Sequence, residues 1–324
     1  MRLLVIGAGI IGSIYGWALA QGGHDVTHLV RPGRAAVLRD GLPLDMFDRR
    51  RRRTRSLRTH YRLHAVEKIP TEPFDFVIVP VKHYALTQTL NEIVPHTGNA
   101  DFLLLTQNWR GTEEIDAVVP RTRYVYGDAK AGGSFSDGTL VAALSGVDIG
   151  SAAGKPAPLT RDVAELFASA GIPTRVHSDM LHYLWVQYAL TGGPWAALVR
   201  AGSITALLND RDAMAAAFQA GYECLQVVRA RGVQLSQYAE TRPFLSGSFL
   251  RRRVYMWMMR RMFLPNEYTR RCSAHALGDL IEIKTFYEDL VATGRDLSVL
   301  MPVMESYAED IRRLASTSQK AAVK

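Results

Sequence analysis

Cysteine is scarce. Cys224 and Cys272 are the only two in 324 residues, too few for a disulfide framework and without the spacing of metal ligands. That scarcity suits a reducing compartment, and a cytoplasmic location is expected. No apolar run approaches the ~18 residues of a membrane-spanning helix. The N-terminal apolar stretch is broken by glycines and lacks the basic start and cleavage site of a signal peptide. No internal repeat is present. Part of the net charge of +8 is local, in the unbroken run Arg49 to Arg53 with Arg55 and Arg58 beyond it. Aromatic residues that could stack bases are not interleaved there, which argues against nucleic acid and for a solvated hairpin. The small, polar tail Ser316 to Lys324 is expected to fray. A hydrophobic content of 48% and a charged content of 22% are ordinary for a globular chain, and the length suffices for two domains.

What is present at the start is more specific. Leu3 to Ile6 are apolar enough for a buried parallel strand, and Gly7-x-Gly9-x-x-Gly12 follows at once. Ile10 to Gln21 then read as a helix. Gly7 serves the tight turn, Gly9 lets backbone approach a pyrophosphate, and Gly12 permits close helix–strand packing. Ile10 and Ile11 begin the helix, whose N-terminus offers N–H groups to the same pyrophosphate. A dinucleotide site is expected here. The second strand, Asp25 to Val30, ends without the carboxylate that would hold the ribose of NAD. Arg31 and Arg34 stand there instead, and a guanidinium fork suits the 2′-phosphate of NADP, although solvated loop arginines would look the same.

Strand-like runs at Leu3–Ile6, Asp25–Val30, Phe74–Val79, Phe102–Thr106 and Arg123–Tyr126 alternate with helical ones. Thr139–Leu144 and Val147–Gly150 read as two further strands divided by Ser145-Gly146. After Asp179 the pattern turns helical, with Ala213–Arg231, Arg270–Val291 and Pro302–Leu314 as the clearest segments. The expected fold is α/β: an N-terminal Rossmann domain with a doubly wound parallel sheet over 1–179, then an all-α domain over 180–324. Lys82 and Asn108 fall just after strands, at the carboxyl edge where such sheets bind ligands.

With these residues in view the chain resembles the ketopantoate reductases (2-dehydropantoate 2-reductases). The resemblance is carried by GAGIIGSIYGWALAQGGHDVTHLVRPGR, by PVKHYALTQTL around Lys82, by Gln107-Asn-Trp-Arg-Gly-Thr-Glu-Glu114, and by Gly127 through VDIG ending at Gly150. It covers residues 1 to about 200. It implies a Rossmann domain with a helical C-terminal domain, NADPH as cofactor and a homodimer formed through the helical domain. By the same resemblance Arg31 and Lys82 hold the 2′-phosphate end, and Asn108 faces the nicotinamide ribose and the substrate.

One segment departs from the family. Where it has Trp-x-Lys-x-x-x-Asn, this chain reads Trp185-Val-Gln187-Tyr-Ala-Leu-Thr191. The family's lysine delivers a proton as hydride arrives, whereas a glutamine amide is no acid. Tyr183, Gln187 and Thr191 share one helix face and are the candidates around the reacting group. Asp279 and Glu282 are the candidates for the family's late acidic residue. The expected activity is therefore NADPH-dependent hydride transfer to a ketone, 2-oxo acid or imine carbon other than ketopantoate. A non-catalytic NADPH-binding sensor or scaffold is the alternative. Arg251–Phe263, RRRVYMWMMRRMF, reads as a core or cleft-lining helix rather than one lying on a membrane surface.

Overall fold

In this computed structural model the residues described are 1–51, 53–152, 158–246, 249–263, 266–273 and 279–313. Arg52 and the expected frayed tail lie outside them. Two compact units divide the chain: Met1–Leu181 with Glu267–Ser273, and His182–Asn266 with Ala274–Lys324.

The first unit is built on one ten-stranded sheet. Its strands are β1 (Arg2–Ile6), β2 (Asp25–Leu29), β3 (Leu42–Asp48), β4 (Arg55–Tyr61), β5 (His64–Val66), β6 (Phe76–Val79), β7 (Asp101–Leu105), β8 (Tyr124–Ser136), β9 (Thr139–Gly150) and β10 (Thr174–His177). They lie in the order β4-β3-β9-β8-β7-β6-β1-β2-β5, with β10 added on β9. From β5 to β8 all neighbours are parallel. Strands covered on both faces need apolar residues throughout, and Leu3, Leu4 and Val5 of β1 and Val77 to Val79 of β6 are all fully buried.

Helix α1 (Ile10–Gln21) forms where the glycine turn predicts it. Ile14, Tyr15, Ala18 and Leu19 are fully buried, and the Tyr15 hydroxyl donates to the Gly146 carbonyl at 2.7 Å. Two glycines let this helix lie close to the sheet. A Cβ on Gly12 would sit 2.8 Å from the Gly7 carbonyl oxygen, and one on Gly16 would sit 2.5 Å from Nε2 of His28. The first contact is the packing reason expected for the third motif glycine; the second involves a residue outside the motif.

The chain differs from its expected strand pattern in three places. Ser145-Gly146 does not separate two strands: β9 runs through it, and the register against β8 shifts there, pairing Lys130 with Gly146 and Ala131 with Leu144. The hairpin expected at the arginine run is built from two strands not foreseen, the antiparallel β3 and β4, and β5 and β10 are additional short strands. The expected helix Arg270–Val291 is interrupted; the helices are Glu267–Ser273 and Leu280–Asp296. Glu267–Ser273 packs on β8 and β9, where Arg271 Nη1 reaches Asp45 Oδ1 at 2.8 Å and the Tyr268 hydroxyl meets Ser145 Oγ at 3.0 Å.

Helices make up the second unit among the described residues. The longest are Met180–Ala201 and Arg211–Ala230. Gly192 and Gly193 are packing glycines: a Cβ on either would come within 2.7 Å or less of Leu290 or of the Gly221 backbone. The helix Phe249–Phe263 is not a core helix, because Val254, Trp257 and Met258 are exposed.

Replacing Gly16 by alanine tests the closeness of α1. The added methyl group must displace the buried His28 ring, so a loss of about 1–3 kcal/mol is expected from urea unfolding. A change within experimental error would refute the packing argument.

Candidate functional site

The glycine turn leaves the carboxyl end of β1. Gly7 adopts φ +91°, a conformation that excludes ordinary side chains, and both of its peptide polar groups are held by β2. Its N–H donates to the Leu29 carbonyl at 2.7 Å, and its carbonyl lies 2.9 Å from His28 Nδ1. A carbonyl only accepts, so Nδ1 carries the proton and Nε2 accepts from the Tyr61 hydroxyl at 3.0 Å. Burial pushes the His28 pKa down to about 4, so the ring is neutral. His28 was not among the residues singled out in the sequence, because a polar letter inside a strand does not reveal what lies above it.

Gly9 is the N-cap of α1, with no side chain capping the helix and no acidic residue in its first turn. A Cβ on Gly9 would meet nothing within 4 Å, and its φ of −76° is unstrained. Glycine is thus needed there neither for backbone conformation nor for internal packing. Ile10 and Ile11 are half-buried and pack on the core. The first N–H groups of α1 have no intrahelical acceptor and face outward at this end.

Arg31 and Arg34 are exposed just past β2, and neither guanidinium hydrogen-bonds or ion-pairs with any described residue. Lys82 follows β6 and Asn108 follows β7; both are at least half-buried. The order β2-β1-β6-β7 therefore brings Arg31, the glycine turn, Lys82 and Asn108 to one edge of the sheet. The Asn108 amide donates to the Gly111 carbonyl at 3.0 Å and to the Tyr126 hydroxyl at 2.8 Å, which fixes its loop.

Next to it, Gln107 Nε2 donates to Asp128 at 3.1 Å, while its Oε1 is buried without a partner. Asp128 leads into a charge chain that sequence spacing did not reveal. Lys130 Nζ bridges Asp128 and Asp148, and Arg175 holds Asp148 through two bonds of 2.7 and 2.9 Å. These carboxylates keep the Lys130 ammonium pKa raised despite burial, which by itself lowers it.

The remaining candidates lie in or around the second unit. Tyr183 is buried, its ring centroid 6.3 Å from that of Tyr238. Gln187 Nε2 donates to Glu240 Oε1 at 2.9 Å, so its amide faces a carboxylate. Glu240 has no helical-face relation to Gln187 in the sequence, and only the fold joins them. Thr191 is half-buried beside the packing glycines. Asp279 caps the helix Leu280–Asp296, its Oδ1 accepting the Glu282 N–H at 3.0 Å. Trp185 is covered by the Arg231 guanidinium, 3.4 Å from the ring centre, and burial lowers that arginine's pKa to about 10.

The neutral His28 links the glycine turn to pH. Its folded pKa of about 4 lies below the ordinary 6.5, so the unfolded chain binds the extra proton. Its contribution to stability is complete above pH 6.5 and is lost as pH falls toward 4. From pH 7.5 to 5, wild type should lose about 2 kcal/mol more than His28→Gln in urea unfolding. Parallel pH profiles for the two proteins would exclude this role.

A family model described as ketopantoate reductase PanE/ApbA matches residues 3–150. A 2-dehydropantoate 2-reductase of Aquifex aeolicus is 29% identical over 200 residues, covering 57% of this chain and 58% of that protein. The aligned part is thus under two thirds of that relative's length. Among solved structures, a 2-dehydropantoate 2-reductase from Geobacter metallireducens matches with a TM-score of 0.73 and 18% identity, over 97% of this chain and 99% of that one. D-mandelate dehydrogenase in a ternary structure with NADH and anilino(oxo)acetate matches with a TM-score of 0.75 and 16% identity, over 98% and 99%. The α/β fold with its helical C-terminal region is common to these solved structures, and residues 3–150 are similar to the ketopantoate reductase PanE/ApbA family.

Proposed function

We propose that this chain is an NADPH-dependent oxidoreductase that reduces a ketone, a 2-oxo acid or an imine other than ketopantoate. The observation that carries the reading is the unpaired Arg31 beside an uncapped, unobstructed helix N-terminus at the carboxyl edge of the sheet. The bound cofactor would supply hydride from its nicotinamide C4. Gly9 and the first N–H groups of α1 would bind the pyrophosphate. Arg31, assisted by Arg34 and Lys82, would bind the 2′-phosphate. Asn108 would orient the nicotinamide ribose, with the buried Gln107 Oε1 as a neighbouring acceptor. A 2-oxo acid is supported by the family match and by the anilino(oxo)acetate of the mandelate dehydrogenase, which that structure holds with NADH rather than NADPH.

Reducing a carbonyl also needs a proton. Gln187 cannot supply it; the Glu240 carboxyl that its amide meets is the candidate donor, with Tyr183 as a second source. Thr191 and Asp279 would then line or support the substrate side. An iminium carbon accepts hydride without an adjacent acid. Replacement of the lysine by Gln187 favours one other reading, a cofactor-binding sensor without turnover. We further assign a cytoplasmic homodimer; a 36.0 kDa species in light scattering would contradict it.

Two experiments test the assignment. Arg31→Ala should weaken NADPH binding by about 1.5–3 kcal/mol and leave NADH little changed, while Gly9→Ala should abolish binding of both without altering stability. Equal losses for the two cofactors in Arg31→Ala would sink the phosphate assignment. For the reaction, wild type should give no robust NADPH oxidation with ketopantoate. Glu240→Gln should slow ketone reduction on the order of a hundredfold while sparing imine reduction. Tight NADPH binding with no turnover on 2-oxo acids, ketones or cyclic imines would establish the sensor.

A further inference from the structure

The arginine run is not wholly solvated. Within the first unit it borders a cavity of about 450 Å³, the size of a small-molecule site, which also takes in the C-terminal end of α1 and residues 168–171. Arg50, Arg51, Arg53 and Arg55 line it together with Trp17 and Asp48. Among the described lining residues Asp48 is the only carboxylate, and Arg50 binds it through Nη2 at 2.9 Å. The same guanidinium donates to the Ala170 carbonyl at 2.9 Å and lies over the Trp17 ring at 5.0 Å. Arg50 is thereby a fixed, internally neutralised floor. Arg51, Arg53 and Arg55 differ from it: all three are exposed, and none of their side chains hydrogen-bonds or ion-pairs with a described residue, although the Arg51 charge also acts on Asp48.

Four arginines against one carboxylate leave three positive charges around one concavity. Self-repulsion of that kind is relieved by an anion, and guanidinium forks match phosphoryl oxygens. Gln21, Thr59 and Ser169 add neutral polar side chains to the lining, and Leu57 an apolar one. This cavity is separate from the glycine turn, because Gly9 and Gln21 stand at opposite ends of a 12-residue helix, roughly 18 Å long. Nucleic acid fits poorly: Trp17 is buried under Arg50, so no stacking platform is offered.

We propose that the β3–β4 hairpin and the end of α1 form a second anion site, one that takes a compact small molecule bearing adjacent phosphoryl groups. Inorganic pyrophosphate is the probe. Calorimetry at low salt should find one pyrophosphate per chain, unaffected by saturating NADP⁺. Affinity should fall at least tenfold in R51A/R53A/R55A and measurably in Arg53→Glu alone. Both variants should keep the wild-type urea midpoint, since they remove exposed, unbonded side chains. Arg31→Ala should bind pyrophosphate normally. Absence of binding, loss of binding in Arg31→Ala with retention in the triple variant, equal affinity for orthophosphate, or tighter binding of a 20-nucleotide single strand would each overturn the assignment.

Discussion

The approach of α1 to the sheet governs the rest of the first unit. Glycine at positions 12 and 16 brings the helix axis within reach of Gly7, Pro80 and the His28 ring. The neutral imidazole then fastens the Gly7 carbonyl, and with it the left-handed turn that aims the helix N-terminus outward. Arg31 stands two residues past β2, the strand that carries His28, so the same strand sets the turn and places the guanidinium beside it. Any shift of β2 would disturb both at once.

The two units contribute unequal chemistry. The first offers backbone donors and unpaired cations, which act by geometry and charge and need no titration near neutral pH. The second places the Gln187 amide against the Glu240 carboxylate.

What could be read from sequence followed the range of the forces involved. The glycine turn and α1 rest on contacts a few residues apart, and their expected limits agree with the structure. The arginine run read as a hairpin, but its strands β3 and β4 escaped notice because their faces alternate with exposed charges. Asp137-Gly138, with φ of +48° and +76°, is a tight hairpin turn whose signal lay in plain view between β8 and β9. His28, Gln107 and Glu240 could not be read, because their partners are far along the chain or defined only by tertiary packing. The apparent break at Ser145-Gly146 had a real cause. On that flank of β9, residues Leu140 to Leu144 pair with β3, whereas Val147 to Gly150 pair with β10.

That change of partner has a consequence for the order of folding. β8 and β9 are joined by a two-residue turn and can zip together at small loop-closure entropy. Leu44 and Leu140, on the order of a hundred residues apart, must wait for a much larger loop to close. β10 arrives from the other direction along the chain. The β8–β9 hairpin is accordingly a template with two independent docking stretches on one flank, and a chain stalled between them would expose half of that flank to another molecule's strand.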